Sequence, residues 1–255
     1  MTRYLIRTLG AVILVSLGVG SSPALAVTVS MPANAGAPPG LTTTVAVDIS
    51  SANGVLGTDI VITFDPAVVT AQAVAKTSLS SPHTLTSNLS TPGVLRISLF
   101  GATPLSGSGA LLNITFRSEG PAGANDPLHF QSVLLNEGQI PVTPLDGHYC
   151  VRGRPNEVQN LEIGLPAPGS TEVGLSWGAV SFAIGYNVYR GGNTNLADLA
   201  CTMPSVGGTT VQDDGTVPAP GNLLVYLVTS INCSDESTLG FSSTGVERIA
   251  SAPCN

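Results

Sequence analysis

Short alternating apolar runs, set off by tight-turn residues at a spacing of roughly 8–12 residues, leave this chain little to fold into besides packed β-sheets. The alternation is clearest from Thr43 to Ile49, where Val45, Val47 and Ile49 share one face. It recurs from Asp59 to Phe64, with Ile60, Ile62 and Phe64 on one side and Asp59, Val61 and Thr63 on the other. Side chains on a strand alternate between faces, so each run has one side for a core and one for solvent. Ala37-Pro38-Pro39-Gly40, Thr91-Pro92-Gly93 and Ser106-Gly107-Ser108-Gly109 punctuate the runs. No stretch carries a 3.6-residue apolar period, so an all-β chain is expected, with strands near 27–31, 41–49, 57–64, 68–75, 93–100, 110–117, 128–135 and 145–151. A second series is expected at 158–163, 171–177, 184–190, 208–212, 223–231 and 241–248.

The first 26 residues read as an export signal. Arg3 and Arg7 precede an uncharged apolar run from Leu9 to Val19, and Ala24-Leu25-Ala26 supplies the small-x-small pattern of a cleavage site. That run is far shorter than the roughly 20 residues a membrane-crossing helix needs, which argues against an uncleaved anchor. The mature chain is expected to begin at Val27, with no later membrane span, and to be secreted, extracellular or held at a cell surface. Beyond the signal, seven cations face sixteen acids, and Lys76 is the only lysine. So few cations cannot neutralise a run of phosphates, which excludes nucleic acid as the partner.

Two modules fit the length. The polar stretch Arg152-Gly153-Arg154-Pro155-Asn156-Glu157 marks the join. The expected organisation is a first domain over 27–152, a linker at 153–156, a second domain over 157–250 and a polar tail at 251–255. The two domains are expected to fold separately. Cys150, Cys201, Cys233 and Cys254 form no CxxC pair, and His83, His129 and His148 are scattered, so metal-ligand spacing is absent. In an exported chain the four cysteines read as disulfides, and their three connectivities stay open.

No catalytic signature stands out: there is no G-x-S-x-G elbow and no H-E-x-x-H. Asp59, Asp65, Asp126, Glu137 and Asp146 are isolated acids with no motif around them, and Asp213-Asp214-Gly215 is too short a loop for a calcium site. A non-enzymatic protein with no cofactor is expected. Its outward strand residues Asp59, Val61, Thr63, Arg96 and Ser98 are candidates for a partner-binding patch of mixed polarity, provided the two strands are neighbours.

Residues 27–151 resemble the cohesin module of bacterial cellulosome scaffolds. The resemblance rests on the opening VTVSM strand, the Ala37-Pro38-Pro39-Gly40 turn, and the block from Gly54-Val55-Leu56 to Phe64-Asp65-Pro66. It continues through Val94 to Gly101, Leu111 to Phe116, and the closing Leu145-Asp146-Gly147-His148-Tyr149-Cys150-Val151. It implies a nine-stranded jelly-roll sandwich and, as partner, a calcium-loaded dockerin, in a setting of polysaccharide breakdown or surface assembly. Asp59 then falls where the family has an outward acid facing the partner, while Gly57 and Ala102 replace an Asn and an acid. Since the fold is shared with carbohydrate-binding modules, direct glycan binding is the second reading. That activity needs a row of exposed aromatics, whereas Phe64, Phe100, Phe116 and Tyr149 are expected in the core, with Phe130 the exception.

Residues 157–249 resemble a fibronectin type III module, an immunoglobulin-like sandwich, through Val173 to Trp177, the Tyr186-Asn187-Val188-Tyr189-Arg190 strand and Leu224 to Asn232. Trp177 is expected as core filler. The resemblance implies that Cys201, following one strand, pairs with Cys233 near the end of another.

Overall fold

The computed structural model describes residues 26–165, 172–192, 196–213 and 215–254. The expected export segment lies outside these residues except for Ala26. Among them no helix is long and apolar enough to cross a membrane.

The N-terminal half is a sandwich of ten strands. They are β1 (Val27–Ser30), β2 (Thr42–Ile49), β3 (Gly57–Thr63), β4 (Val69–Lys76), β5 (Thr84–Thr91), β6 (Val94–Phe100), β7 (Gly109–Ser118), β8 (Asn125–Leu135), β9 (Val142–Leu145) and β10 (Gly147–Cys150). One sheet runs β4-β7-β2-β1-β9 and the other β10-β8-β3-β6-β5. Pairing is antiparallel except between β1 and β9. The alternation in the sequence sorts the faces. Val45, Val47 and Ile49 of β2, Ile60 and Ile62 of β3, and Leu95, Ile97 and Leu99 of β6 are all at most 2 % exposed. Phe116 closes one end of this core, edge-on to Phe64 at 5.5 Å and tilted against Tyr149 at 6.1 Å. The buried Tyr149 hydroxyl shares a 2.9 Å hydrogen bond with Ser118 Oγ, which donates in turn to Ala37 O. Burial pushes the Tyr149 phenol above its ordinary pKa.

Asp65 ends β3 as its place before a proline suggests: its carboxylate accepts from Ala67 N–H, and its carbonyl from Val68 and Val69 N–H. Two strands here are absent from the expected series. β5 is a polar edge strand in which Leu85 and Leu89 alone turn to the core. β9 carries Pro144, which an edge strand tolerates because one side of its backbone needs no partner.

The C-terminal half has its own hydrophobic cluster, from Leu175 and Trp177 to Tyr226 and Val228. Two three-stranded sheets enclose it: β11 (Glu162–Gly164), β12 (Gly174–Ser176) and β15 (Thr210–Gln212) in one; β14 (Ala200–Val206), β13 (Gly185–Gly191) and β16 (Val225–Ile231) in the other. Trp177, 6 % exposed, packs edge-on to Tyr186 at 5.4 Å. A buried ionic network joins the sheets. Arg190 of β13 donates to both oxygens of Asp213, just after β15, at 3.0 and 2.8 Å, and the Tyr226 hydroxyl of β16 donates to the same carboxylate. The segment expected as a strand at 241–248 instead folds back on itself, with a single bridge between Phe241 and Glu247.

The disulfides are Cys150–Cys233 and Cys201–Cys254. The expected Cys201–Cys233 pair is therefore corrected, and the sheet explains why. Cys201 on β14 lies opposite Tyr189, towards one end of β13, whereas Ile231 at the close of β16 lies opposite Gly185 at the other end. Four residues of strand set those positions roughly 13 Å apart along β13, on opposite sides of it, and a disulfide needs Cα atoms within about 7 Å. The tail is also pinned rather than loose. Cys201 N–H donates to Ala252 O at 2.8 Å and Ser251 N–H to Leu199 O at 2.8 Å, so residues 251–254 lie along the outer edge of β14.

Candidate partner-binding face

β3 and β6 pair antiparallel along their whole length, with Asp59 opposite Ser98, Val61 opposite Arg96 and Thr63 opposite Val94. Directly opposed residues point to the same face. The inward set on both strands is buried, so Asp59, Val61, Thr63, Arg96 and Ser98 come together on the outer surface of one sheet. Neighbouring strands extend the rows. Thr86 of β5 and Leu134 of β8 flank the Asp59–Ser98 pair, and Asn88 and Ser132 flank Val61–Arg96. Ser98 Oγ donates to Asp59 Oδ1, fixing that carboxylate flat on the sheet.

The aromatic assignment needs correcting at two positions. Phe100 is 52 % exposed, and Phe130 is 4 % exposed within the core. Strand parity explains Phe100: Leu95, Ile97 and Leu99 face inward, so Phe100 stands outward beside Ser98 and Arg96. Phe130 pairs with the inward Ile62 just before a bulge at Gln131, which shifts the register of β8 against β3 by one residue.

Above Phe100 the face ends in an open depression lined by Leu56, Asp59, Thr86, Ser98, Phe100 and Glu137. Its far wall is a turn in which Asn136, Glu137 and Gly138 all have positive φ, at 48°, 56° and 87°. Non-glycine residues adopt this region when local hydrogen bonds compensate. Asn136 has them: Oδ1 accepts from Leu56 N–H at 2.8 Å and Gly57 N–H at 3.1 Å, and Nδ2 donates to Gly54 O at 2.9 Å. The Glu137 carboxylate is thereby held out at the rim.

At the opposite end of the face, beside Thr63, His129 Nδ1 lies 2.7 Å from Asp146 Oδ2, and Phe130 N–H donates to Asp146 Oδ1 at 2.7 Å. Partial burial pushes the Asp146 carboxyl up, but the hydrogen bonds from His129 and Phe130 outweigh it and hold it below the usual carboxylate range. Asp65 and Asp126 belong to a separate contact, where Asp126 Oδ2 accepts from Asp65 N–H at 2.7 Å. The acids are thus spread over the surface, each in a local hydrogen-bonding role or at a rim. Among the described residues no group of three or more His, Cys, Asp or Glu side chains could hold a metal ion. The arrangement offers a flat, mixed-polarity surface for a macromolecule. Sequence reasoning missed Phe100, Leu134 and Glu137 as parts of it; the parity of β6 was enough to find the first.

The first sandwich thus presents one flat outer face of mixed polarity. Residues 27–140, which lie within the first sandwich, match the cohesin domain family. Among solved structures the chain is similar to a non-cellulosomal cohesin from the archaeon Archaeoglobus fulgidus, at 19 % identity over 49 % of this chain and 90 % of that one, with a TM-score of 0.43. It is likewise similar to the sixth cohesin of Acetivibrio cellulolyticus scaffoldin B, solved with a Cel5 dockerin mutant, at 17 % identity over 50 % and 99 % of the two chains and a TM-score of 0.43. A third is the OlpA cohesin of Clostridium thermocellum in complex with a dockerin, at 15 % identity over 49 % and 98 % and a TM-score of 0.43. No curated protein sequence matches the chain.

Proposed function

We propose that this is an exported, non-catalytic scaffold or adaptor whose cohesin domain binds a dockerin-type protein through the outer face of β3 and β6, in extracellular polysaccharide breakdown or surface assembly. The observation that carries this reading is the face itself: Asp59, Ser98, Val61 and Arg96 laid out in two adjacent rows on rigid, fully paired strands. Charges and hydroxyls around a few apolar contacts suit a protein surface. Any calcium requirement belongs to the partner. Gly57 and Ala102, where the family's pattern has an Asn and an acid, point to a partner different from the standard cellulosomal one. The second sandwich, with β11-β12-β15 facing β14-β13-β16, supports a fibronectin type III-like spacer or adhesion module.

The test is titration of the mature protein against dockerin modules from the same source, with and without calcium. Asp59→Ala and Arg96→Ala are each expected to weaken binding by about tenfold, or about 1.4 kcal/mol, while lowering Tm by no more than a few degrees. Unchanged affinity in both variants places the site elsewhere. Direct glycan binding by the first sandwich is favoured by the ring of Phe100, which is 52 % exposed. It predicts that the protein pellets with insoluble polysaccharide and that Phe100→Ala abolishes this.

A further inference from the structure

Two modules joined by a four-residue linker ordinarily move relative to each other, because the contacts between them are few and polar. Here the join is different. The strand that ends the first sandwich, β10, finishes at Cys150, and Cys150 is bonded to Cys233, just beyond the last strand of the second sandwich. The linker at 153–156 therefore has a second covalent connection beside it, three residues away along the chain.

The loop from Asn232 to Asp235 that carries Cys233 is built as a plug. Asn232, 3 % exposed, accepts from Ser234 and Asp235 N–H at 2.8 Å each, which closes the loop on itself. Its Nδ2 donates to Gly153 O at 2.9 Å. The plug seats against the turn at Pro121–Ala124 of the first sandwich, itself tied down by Gly123 N–H donating to Val151 O at 2.8 Å. Contact there is close: a Cβ at Gly123 would fall 2.8 Å from Asn232 Nδ2 and 3.1 Å from Phe182 Cβ. At Gly153 a Cβ would meet Ala122 Cβ at 2.9 Å. Gly123 and Gly153 have φ of +87° and +143°, so both positions combine close approach with a backbone suited to glycine. Phe182, with φ of 62°, is a bulky residue in the left-handed region on the second sandwich's side of the same contact.

Outside the plug, Arg154 reaches from the linker to Glu247 at 2.7 Å and Asp235 at 3.8 Å. Ser230 Oγ donates to Asn156 O at 2.7 Å. The Arg154 pairs are about half exposed and contribute little by themselves. The covalent bond is what decides the mechanics.

We infer that the Cys150–Cys233 bond and the Asn232–Asp235 plug lock the two sandwiches into one rigid body, so that the second module fixes the direction in which the β3–β6 face points. This holds whatever the face binds. Without the bond, the linker becomes a hinge and the plug a weak, reversible contact.

Backbone 15N relaxation of the oxidised protein tests this, comparing β2, β3, β6 and β7 with β13 and β16. One rotational correlation time shared by both sets is expected. In the double variant Cys150→Ser/Cys233→Ser the two sets are expected to separate, and each correlation time to fall by up to roughly twofold, since each module has about half the mass. Two different correlation times in the oxidised wild type overturn the proposal, and this measurement stands even if the variant does not fold. A variant that folds and keeps one shared time also overturns it, because the polar contacts would then suffice without the bond.

Discussion

Replacing Tyr226 with Phe probes the ionic network inside the second sandwich, and the effect should depend on pH in a calculable way. The substitution keeps the ring and removes only the hydroxyl that donates to Asp213. A hydrogen bond to an ionised group contributes about 1.5–3 kcal/mol, so that loss is expected at pH 8. Tyr226 is 6 % exposed. Burial, then its hydrogen bond to Asp213 and the negative charge there, push its phenol from 10.0 up to about 12, against the opposite pull of Arg190. Folding therefore favours the neutral phenol. Its contribution is whole below pH 10 and is lost as the pH rises towards 12. At pH 11.5 the wild type has given up about 2 kcal/mol of it by linkage, whereas the Phe variant has no phenol there to ionise. Burial also pushes Tyr149 and Tyr189 up, but both are present in each protein and cancel in the difference. Trp177, the chain's only tryptophan, lies in the second core and reports on it by fluorescence. Urea titrations at pH 8 and pH 11.5 should give a destabilisation that shrinks from about 1.5–3 kcal/mol to near zero. A difference that is the same at both pH values refutes the coupling of Tyr226 to Asp213.

Two further substitutions address other parts of the frame. Gly101→Ala places a Cβ 2.3 Å from the ring of His83, a side chain only 1 % exposed, and should cost about 3 kcal/mol by overpacking; a Tm within two degrees of wild type would show that the ring can move aside. Cys201→Ser with Cys254→Ser opens a bridge between positions 53 residues apart and should cost about 4 kcal/mol on the chain-entropy model, with amide exchange accelerated at Leu199–Cys201; unchanged exchange there would mean that the tail stays docked without the bond.

The parts of this fold legible in the sequence are those decided by short-range alternation. β2, β3, β6 and β7 carry β-branched and aliphatic residues at a period of two, and each lies in the sheet interior, where that pattern is enforced by burial. The missed strands β5, β9 and β14 are all edges. Edge strands need no continuous apolar face and admit proline, as Pro144 and Pro204 show. The Asp59–Arg96 patch was legible for the same reason as the core, being its complement in parity. Residue type misleads at Phe100: an aromatic suggests core, but the parity of β6 sends it outward. The cysteine pairing lay beyond local reading altogether. It depends on which end of β13 each cysteine reaches, and on a contact between modules that no periodicity encodes.

The pinned tail has a consequence for solution behaviour. β14 borders its sheet, and an uncovered border offers a row of backbone donors and acceptors to any strand that drifts past, including the same strand of another molecule. Residues 251–254 occupy the Leu199–Cys201 part of that row, and Pro204, which has no N–H to offer, interrupts the rest. The last cysteine thus acts as a clasp on a protective hem. A protease that trims the chain before Ser251 would expose a border ready for strand addition and favour self-association.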